Sequence, residues 1–519
     1  MTRPGWGAEE IVIYYGSAET AVEVADLSRF AQVGEATPVL ALYGRLLQLE
    51  NGEQVRELLT TPLDATPWSV EQIIDSPTGN LLFKRVGRVL KTETNENGDQ
   101  ALKQAVRQAA NHPEGLTLLG LLEEFPGQSI RVDLKFSVDL LNDVLSIVVE
   151  DQQILTWIQQ QKSQDESASD SPIPLPDLSG FGRFPWQELT WSFQNPRRDR
   201  PSPVYLYLPQ TDYPVPLIII SHGLGSDPKT FAYLAQHLAS HGYAVALPEH
   251  IETSANGFER FFDGFDNPPD PSAFANRPRD ITDLINQLEQ RSRTDPAFPG
   301  KIDFQNVGVV GQSFGGYTAL AVAGAGLNLS TLTQGCRNFI NRRISLNLST
   351  LLQCQAIDIA REQTNFRDPR VKGAIAINPL ASLVFGETGL GQIQIPVMII
   401  SGTNDYVTPA VTEQILPFTW LKTLEKYLVL VEPGTHFSLL DEPRGRTFPP
   451  ELIGPDPTLA YPYLQAIALA FFDLHLLNRS AAAAYLTPTY LDQLDEPPFS
   501  LSILRQLTAA EIRQAIQSR

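Results

Sequence analysis

Val307-Gly308-Val309-Val310-Gly311-Gln312-Ser313-Phe314-Gly315-Gly316 is a run of apolar, β-type residues that ends in the pattern Gly-x-Ser-x-Gly. A small-residue helix pattern follows it, so this stretch predicts a strand, a sharp turn and a helix. Glycines flank the serine because a Cβ at either position would clash with the neighbouring strand or helix. Such a turn strains the serine backbone and projects its hydroxyl into the site, which makes Ser313 the candidate nucleophile.

Two further strand-type runs each precede a residue that an activated serine needs. Asp405 follows shortly after the run 395–400, and His436 follows shortly after the run 427–431. A serine hydroxyl is a weak nucleophile at neutral pH, so a histidine must take its proton and an acid must orient that histidine. The order Ser, Asp, His, each after a strand, predicts a catalytic triad of Ser313, Asp405 and His436 on a hydrolytic α/β sheet.

Backbone amides from two places in the chain are candidates for the oxyanion hole, which stabilises the negative oxygen of the tetrahedral intermediate. Backbone N–H groups suit this task because they need no reorganisation at the moment of reaction. The Phe314 N–H directly follows the nucleophile. A second donor is expected from the loop Ser221-His222-Gly223-Leu224-Gly225, which follows the apolar run 217–220. The N–H of Leu224 is the first choice there, and that of Gly223 is the next.

A family resemblance is carried by three stretches, which read Ser221-His222-Gly223-Leu224-Gly225, Leu238-Ala239-Ser240-His241-Gly242-Tyr243-Ala244-Val245-Ala246 and Gln312-Ser313-Phe314-Gly315-Gly316. They resemble the platelet-activating-factor acetylhydrolase and dienelactone-hydrolase-like branch of the α/β-hydrolases, over roughly residues 185–475. Bacterial cutinase-like polyester hydrolases share the Leu-Ala-Ser-His-Gly stretch. Residues 11–144 resemble the helical domain of uncharacterised function that precedes exported α/β-hydrolases of cyanobacterial type. The resemblance implies an α/β-hydrolase fold, a mainly parallel sheet with helices on both faces, after a mainly α-helical N-terminal domain.

One position departs from the acetylhydrolase pattern. In that family the acid lies just after the strand that follows the nucleophile helix, a place that Asn378 occupies here. An amide can orient the histidine but cannot stabilise imidazolium as a carboxylate does. The acid is therefore assigned to Asp405, as in cutinase-like and dienelactone-type relatives. The departure also weakens any inference that the substrate is a platelet-activating phospholipid.

Each acid or base candidate also fits a role without catalysis. The sequence around Asp405 is also typical of a turn in which the carboxylate bonds only its own backbone. The sequence around His436 is also typical of a histidine in a surface loop. If His436 is not the base, His250 is the next candidate, because it also follows a strand. The residues expected to line or border the pocket are His222, Gly223, His250, Gln312 and Asn378.

Length and composition limit the classes of function. A chain of 519 residues, 42% of them hydrophobic, is expected to form about two globular domains. No apolar run approaches the roughly 20 residues of a membrane span. The net charge of −20, from 39 basic and 59 acidic residues, argues against nucleic acid or an anionic membrane surface as the main partner. The histidines and carboxylates show no metal spacing, so neither a metal nor a cofactor is predicted.

The two cysteines of the chain, Cys336 and Cys354, both fall in an insertion of about residues 326–368. α/β-Hydrolases commonly carry a cap over the pocket at this place, and a disulfide would staple it; two free thiols are the alternative. Residues 1–7 lack the apolar segment of a signal peptide. The resemblance and the cysteine pair favour a periplasmic or secreted protein whose leader has been removed, with a cytosolic protein as the alternative.

Residue patterns divide the chain into four regions. A helical N-terminal domain that begins with a short hairpin is predicted for residues 8–160, and a linker for 161–184. The catalytic domain is predicted for residues 185–478, with an antiparallel hairpin at its start, and a helical tail for 479–519. The N-terminal domain shows no chemical constellation and is expected to act as a cap or docking module. Phenylalanines in residues 258–279 are expected either to wall an acyl pocket or only to anchor an irregular loop.

These observations together predict a serine carboxylic-ester hydrolase that acts through an acyl-enzyme on a lipid or other hydrophobic ester. A cutinase-like polyester hydrolase is the alternative among enzymes. A non-enzymatic envelope scaffold or lipid-binding module is the alternative outside that class.

Overall fold

The computed structural model of the protein describes residues 7–41, 52–63, 66–134, 151–160, 175–195, 201–262, 270–295, 298, 301–341, 347, 349–441 and 453–517. The chain divides into two compact units. Residues 1–146, 259–268 and 337–344 form the first unit, and residues 147–258, 269–336 and 345–519 form the second. Among the described residues, no helix is long and apolar enough to cross a bilayer.

The first unit contains a four-stranded sheet and short helices. Its strands are β1 (Glu10–Tyr15), β2 (Ala18–Glu23), β3 (Leu90–Lys91) and β4 (Ser129–Asp133), in the order β2-β1-β4-β3. Helices among its described residues include Val24–Val33, Gly52–Thr60, Pro67–Asp75, Pro77–Val86, Asp99–Ala109 and Leu118–Glu123. The predicted hairpin is present, since β1 and β2 pair in an antiparallel register that ends at Tyr15 and Ala18.

Two features of the N-terminal region differ from the prediction. The strands β3 and β4 were not predicted, and β4 pairs in parallel with β1. The predicted boundary at residue 160 is wrong, because the chain passes into the second unit after residue 146. Residues 151–160 form a helix whose Ile154 and Ile158 are buried in a core cluster of the second unit. A local pattern shows that a helix is amphipathic, but it does not show which core the apolar face joins.

A nine-stranded sheet forms the centre of the second unit. Its strands are β5 (Trp186–Phe193), β6 (Ser202–Pro209), β7 (Val215–Ser221), β8 (Ala244–Pro248), β9 (Ile302–Gln312), β10 (Val371–Ile377), β11 (Val397–Gly402), β12 (Lys426–Glu432) and β13 (Ser500–Leu504). They lie in the order β13-β12-β11-β10-β9-β7-β8-β6-β5, and the strands from β7 to β12 are parallel to one another. The loops after these strands therefore meet at one edge of the sheet, where such folds place their sites.

Helices cover both faces of this sheet, as the fold class predicted. One face packs against helices Ala232–Ser240 and Tyr461–His475. The other face packs against Ala273–Thr294 and Phe314–Ala323, because alternate residues of a buried parallel strand point to opposite sides. Other α-helices that the structure describes after residue 250 include Ala255–Phe262, Leu329–Asn341, Ser349–Gln353, Ile357–Glu362, Gly386–Leu390, Leu416–Trp420, Pro488–Leu494 and Ala509–Gln517.

The C-terminal tail is not entirely helical, which corrects the prediction for residues 479–519. Residues 500–504 form β13, which extends the sheet as an antiparallel neighbour of β12. Leu501 and Ile503 of this strand are buried in the core beside β12. A five-residue alternation is too short to be recognised between two helical patterns, so pairing with β12 decides this conformation.

The described residues of the predicted insertion are mainly helical, and they contain the predicted disulfide. Cys336, in its first helix, is bonded to Cys354, which lies 18 residues further along the chain. The side-chain oxygen of Gln353, next to Cys354, accepts hydrogen bonds from the backbone N–H groups of Leu383 and Val384 at 2.9 and 3.0 Å. The disulfide therefore joins the first helix of the insertion to a segment that is anchored on the loop after β10.

Replacing both cysteines by serine should lower the free energy of unfolding by about 3 kcal/mol, because the crosslink closes a loop of this length in the unfolded chain. Urea unfolding followed by far-UV circular dichroism measures the change. A reducing agent should destabilise the wild type to the same extent and leave the double variant unaffected. Equal unfolding curves for oxidised and reduced wild type would contradict the expectation.

Candidate active site

Ser313 lies in the turn between β9 and the helix Phe314–Ala323, where the sequence pattern places it. Its backbone has φ 56° and ψ −116°, a strained combination for a residue other than glycine. A Cβ at Gly311 would lie 1.9 Å from the Gly315 oxygen, and one at Gly315 would lie 1.9 Å from the Ser221 oxygen. Only glycine fits on either side of the serine, and the turn has the geometry of a nucleophile elbow.

Asp405 and His436 meet in the loops after β11 and β12. The Nδ1 atom of His436 lies 2.7 Å from Oδ2 of Asp405. The other carboxylate oxygen, Oδ1, accepts hydrogen bonds from the backbone N–H groups of Val407 and Thr408, both at 2.8 Å. The Thr408 hydroxyl donates to Oδ2, also at 2.8 Å. These donors orient the carboxylate, so the imidazole donates through Nδ1 and keeps Nε2 as its proton acceptor.

Ser313 and His436 are 8% and 6% exposed, so both side chains retain a small accessible area. Within the part of the chain that the structure describes, no hydrogen bond joins the serine hydroxyl to the imidazole. Catalytic hydrogen bonds of this kind are often completed only when a substrate binds. Gln312, the residue before Ser313, connects the two loops instead, because its side-chain Nε2 donates to the His436 backbone oxygen at 3.1 Å.

Asn378 supports the loops of the acid and the histidine. Its Nδ2 donates to the Thr435 backbone oxygen at 3.1 Å, and its Oδ1 accepts from the Gly402 N–H at 2.8 Å. Its side-chain hydrogen bonds therefore go to the backbone on both sides of the Asp405–His436 pair. The expectation that Asn378 lines the pocket is wrong, because this side chain is buried and already bonded to protein groups.

The loop 221–225 passes beside Ser313. A Cβ added at Gly223 would lie 3.5 Å from the Ser313 Cβ. Among the described residues, no acceptor is hydrogen-bonded to the backbone N–H of Leu224 or of Phe314. An oxyanion hole requires N–H groups that are not already bonded within the protein, and both of these amides meet that requirement.

His222, within this loop, and His250, beside it, are both fully buried, which corrects the expectation that they line the pocket. The Nε2 atom of His250 lies 2.9 Å from the Ser221 hydroxyl, and its Nδ1 lies 3.0 Å from Oδ2 of Asp280. The hydrogen-bonded series Ser221, His250 and Asp280 repeats the residue types of a catalytic triad, but all three side chains are buried. Since both ring nitrogens are used in this way, His250 is not placed to act as the base for Ser313.

Three supporting residues were not predicted. Thr408 bonds the Asp405 carboxylate, and its position three residues after the acid was the only local signal for it. Arg277 is fully buried and donates to the Ser221 hydroxyl at 3.3 Å. Glu413 is also fully buried and accepts from two backbone N–H groups of the loop after β10, at 2.7 and 2.9 Å. The described residues contain no group of three or more His, Cys, Asp or Glu that could hold a metal ion.

Comparison with known proteins gives two family matches. A model described as an alpha/beta hydrolase of unknown function matches residues 7–133. A model described as the alpha/beta hydrolase family matches residues 217–511, which is more than half of the chain. That second segment begins in β7 and includes Ser313, Asp405 and His436. No curated protein matches the chain.

Proposed function

The chain belongs to the alpha/beta hydrolase family, and we propose that it is a serine hydrolase of carboxylic esters. The observation that carries the proposal is the 2.7 Å bond between His436 and Asp405, at the sheet edge that also holds the strained Ser313. A serine, an imidazole and a carboxylate in these positions supply the nucleophile, the base and the group that orients the base.

The proposed reaction has two halves. In the first, Ser313 Oγ attacks the ester carbonyl carbon while Nε2 of His436 takes the hydroxyl proton. The N–H groups of Leu224 and Phe314 stabilise the oxyanion, and the alcohol then leaves with the proton that His436 returns. In the second half, His436 takes a proton from water, which attacks the acyl-enzyme. The acid product departs, and Ser313 recovers its proton.

We propose a hydrophobic ester as the substrate. Leu224 and Tyr406 are 37% and 57% exposed, and each is close to the site along the chain, in the proposed oxyanion loop and next to Asp405. Exposed apolar side chains beside a polar site favour an apolar acyl or alcohol group. The resemblance to acetylhydrolases and dienelactone hydrolases supports ester chemistry, while Asn378 in place of the acetylhydrolase acid argues against a platelet-activating phospholipid.

We also propose an oxidising compartment, either the periplasm or the exterior of the cell. The support is the disulfide between Cys336 and Cys354, because structural disulfides persist mainly outside the reducing cytosol.

Hydrolysis of p-nitrophenyl esters from acetate to palmitate tests the proposed activity. Turnover that a fluorophosphonate stops by labelling Ser313 is the expected result, with a preference for one range of acyl lengths that identifies the acyl pocket. Release of soluble products from a polyester film, at rates comparable to those with the small esters, would favour the cutinase-like alternative. If the protein shows no turnover and Ser313 is not labelled, the hydrolase proposal is refuted and a non-enzymatic scaffold is favoured.

A further inference from the structure

A buried polar cluster packs against the loop 221–225 and takes no direct part in the proposed reaction. His250 bonds both the Ser221 hydroxyl and the Asp280 carboxylate. Arg277 donates to the Ser221 hydroxyl and to the His222 backbone oxygen. The side chains of these four residues and of His222 are each at most 2% exposed. Polar groups are costly to bury unless they are well bonded, and a fully bonded cluster holds its neighbours rigidly.

The hydrogen bonds of His222 define its protonation. The backbone N–H of His250 donates to Nε2 of His222 at 3.0 Å. A backbone N–H is only a donor, so Nε2 carries no proton and Nδ1 must carry it. Nδ1 lies 2.7 Å from the Gly223 oxygen and therefore donates to it. Burial, together with the charge of Arg277 and the nearby His250, holds the pKa of His222 well below its usual 6.5, which keeps the ring neutral.

This bond has a geometric consequence for the next amide along the chain. The peptide unit between Gly223 and Leu224 is planar and trans, so its C=O and N–H point in opposite directions. A donor that holds the Gly223 oxygen therefore sets the direction of the Leu224 N–H. Glycine has unusual conformational freedom, so without that donor the peptide plane at Gly223 can rotate readily.

We propose that His222 is a positioning residue for the oxyanion hole, and that its Nδ1–H, bonded to the Gly223 oxygen, aims the Leu224 N–H at the oxyanion. This inference rests on the proposed function. His222 touches no reacting atom; it acts through the peptide that it holds. A donor aligned in advance stabilises the transition state more than the bound substrate, so its loss lowers kcat and leaves KM nearly unchanged.

Two substitutions of similar size separate positioning from packing. In His222→Asn, the amide nitrogen takes the place of Nδ1 and can donate to the Gly223 oxygen. In His222→Gln, the amide oxygen takes the place of Nε2 and can accept from the His250 N–H, but the donor to Gly223 is lost. Both variants remove ring volume, so a purely structural role predicts similar losses of activity from the two.

We expect His222→Gln to lose about 10²-fold in kcat with little change in KM, and His222→Asn to stay within about 10-fold of the wild type. The affinity for an aryl trifluoromethyl ketone, whose adduct with the serine carries an oxyanion, should fall with kcat. Equal losses in the two variants, with wild-type turnover intact, would overturn the positioning role alone. An inactive wild type in which Ser313 is not labelled would overturn the proposed function and this inference together.

Nitrogen-15 NMR of the wild type, labelled at histidine, provides a test that needs no variant and no activity. The ring of His222 should be neutral at pH 7, with its proton on Nδ1. A proton on Nε2, or a charged ring, would overturn the inference even if the His222 variants fail to fold.

Discussion

Ser313→Ala should abolish ester hydrolysis, with a loss of up to about 10⁶ in kcat, the size of effect known for removal of a triad serine. The loss is large because no other described hydroxyl occupies the strained turn beside Leu224 and Phe314. Alanine keeps the Cβ that the turn already accommodates, so the thermal unfolding temperature should stay close to that of the wild type. Steady-state kinetics on the best p-nitrophenyl ester, with scanning calorimetry, measures both quantities.

Ser221→Ala is the matched control, because Ser221, His250 and Asp280 form a second series of serine, histidine and aspartate hydrogen bonds among the described residues. This variant should still be labelled by a fluorophosphonate at Ser313, whereas Ser313→Ala should not be labelled. Loss of labelling in Ser221→Ala, with turnover retained in Ser313→Ala, would show that the nucleophile has been wrongly assigned.

Asp405→Asn should lower kcat by about 10⁴, as this change does in a serine protease. The contacts of Asp405 explain why the loss is expected here. Its Oδ1 accepts two backbone N–H groups, so an introduced amide would keep its oxygen there and place its nitrogen at the Oδ2 position. That nitrogen would face Nδ1 of His436, which then has to accept rather than donate. The proton would move to Nε2, and the imidazole would lose its ability to take the serine proton.

Asn378→Ala provides the comparison for the acid. It removes the bonds to Thr435 and Gly402 and leaves alanine at a φ of 43°, so it should reduce stability by about 1–3 kcal/mol. Its effect on kcat should be far smaller than that of Asp405→Asn. The kcat values of the two variants, measured at a temperature at which both are folded, test this ranking. If Asn378→Ala has the greater effect on kcat, the assignment of the acid to Asp405 is wrong.

The local sequence around Ser313 predicted a strand, a turn and a helix correctly. Patterns of buried strands followed by polar loops also placed Asp405 and His436 after β11 and β12, where the structure brings them within hydrogen-bond distance. These predictions succeed because parallel strands that are buried on both faces read as continuous apolar runs. The residues after such strands then meet at one edge of the sheet.

The supporting contacts could not be predicted in the same way. Arg277 and Asp280 lie in a helix that is remote in sequence from Ser221, and nothing in their local pattern indicates burial beside it. The strand β13 and the helix 151–160 were assigned to the wrong conformation or the wrong unit, because each depends on a partner far away in the chain. Pairing and packing between distant segments override local preference in such cases.

The sequence by itself determined the fold class, the turn at Ser313 and the order of the three candidate catalytic residues, because local periodicity and glycine placement are sufficient to specify strands and sharp turns. Only the tertiary structure decided which polar side chains are fully bonded inside the protein and hold the candidate site in place. Asn378, His222 and His250 could not be separated from pocket residues by their position after a strand. Their burial and their hydrogen-bond partners assign them supporting roles, since both depend on segments that come together only when the chain folds.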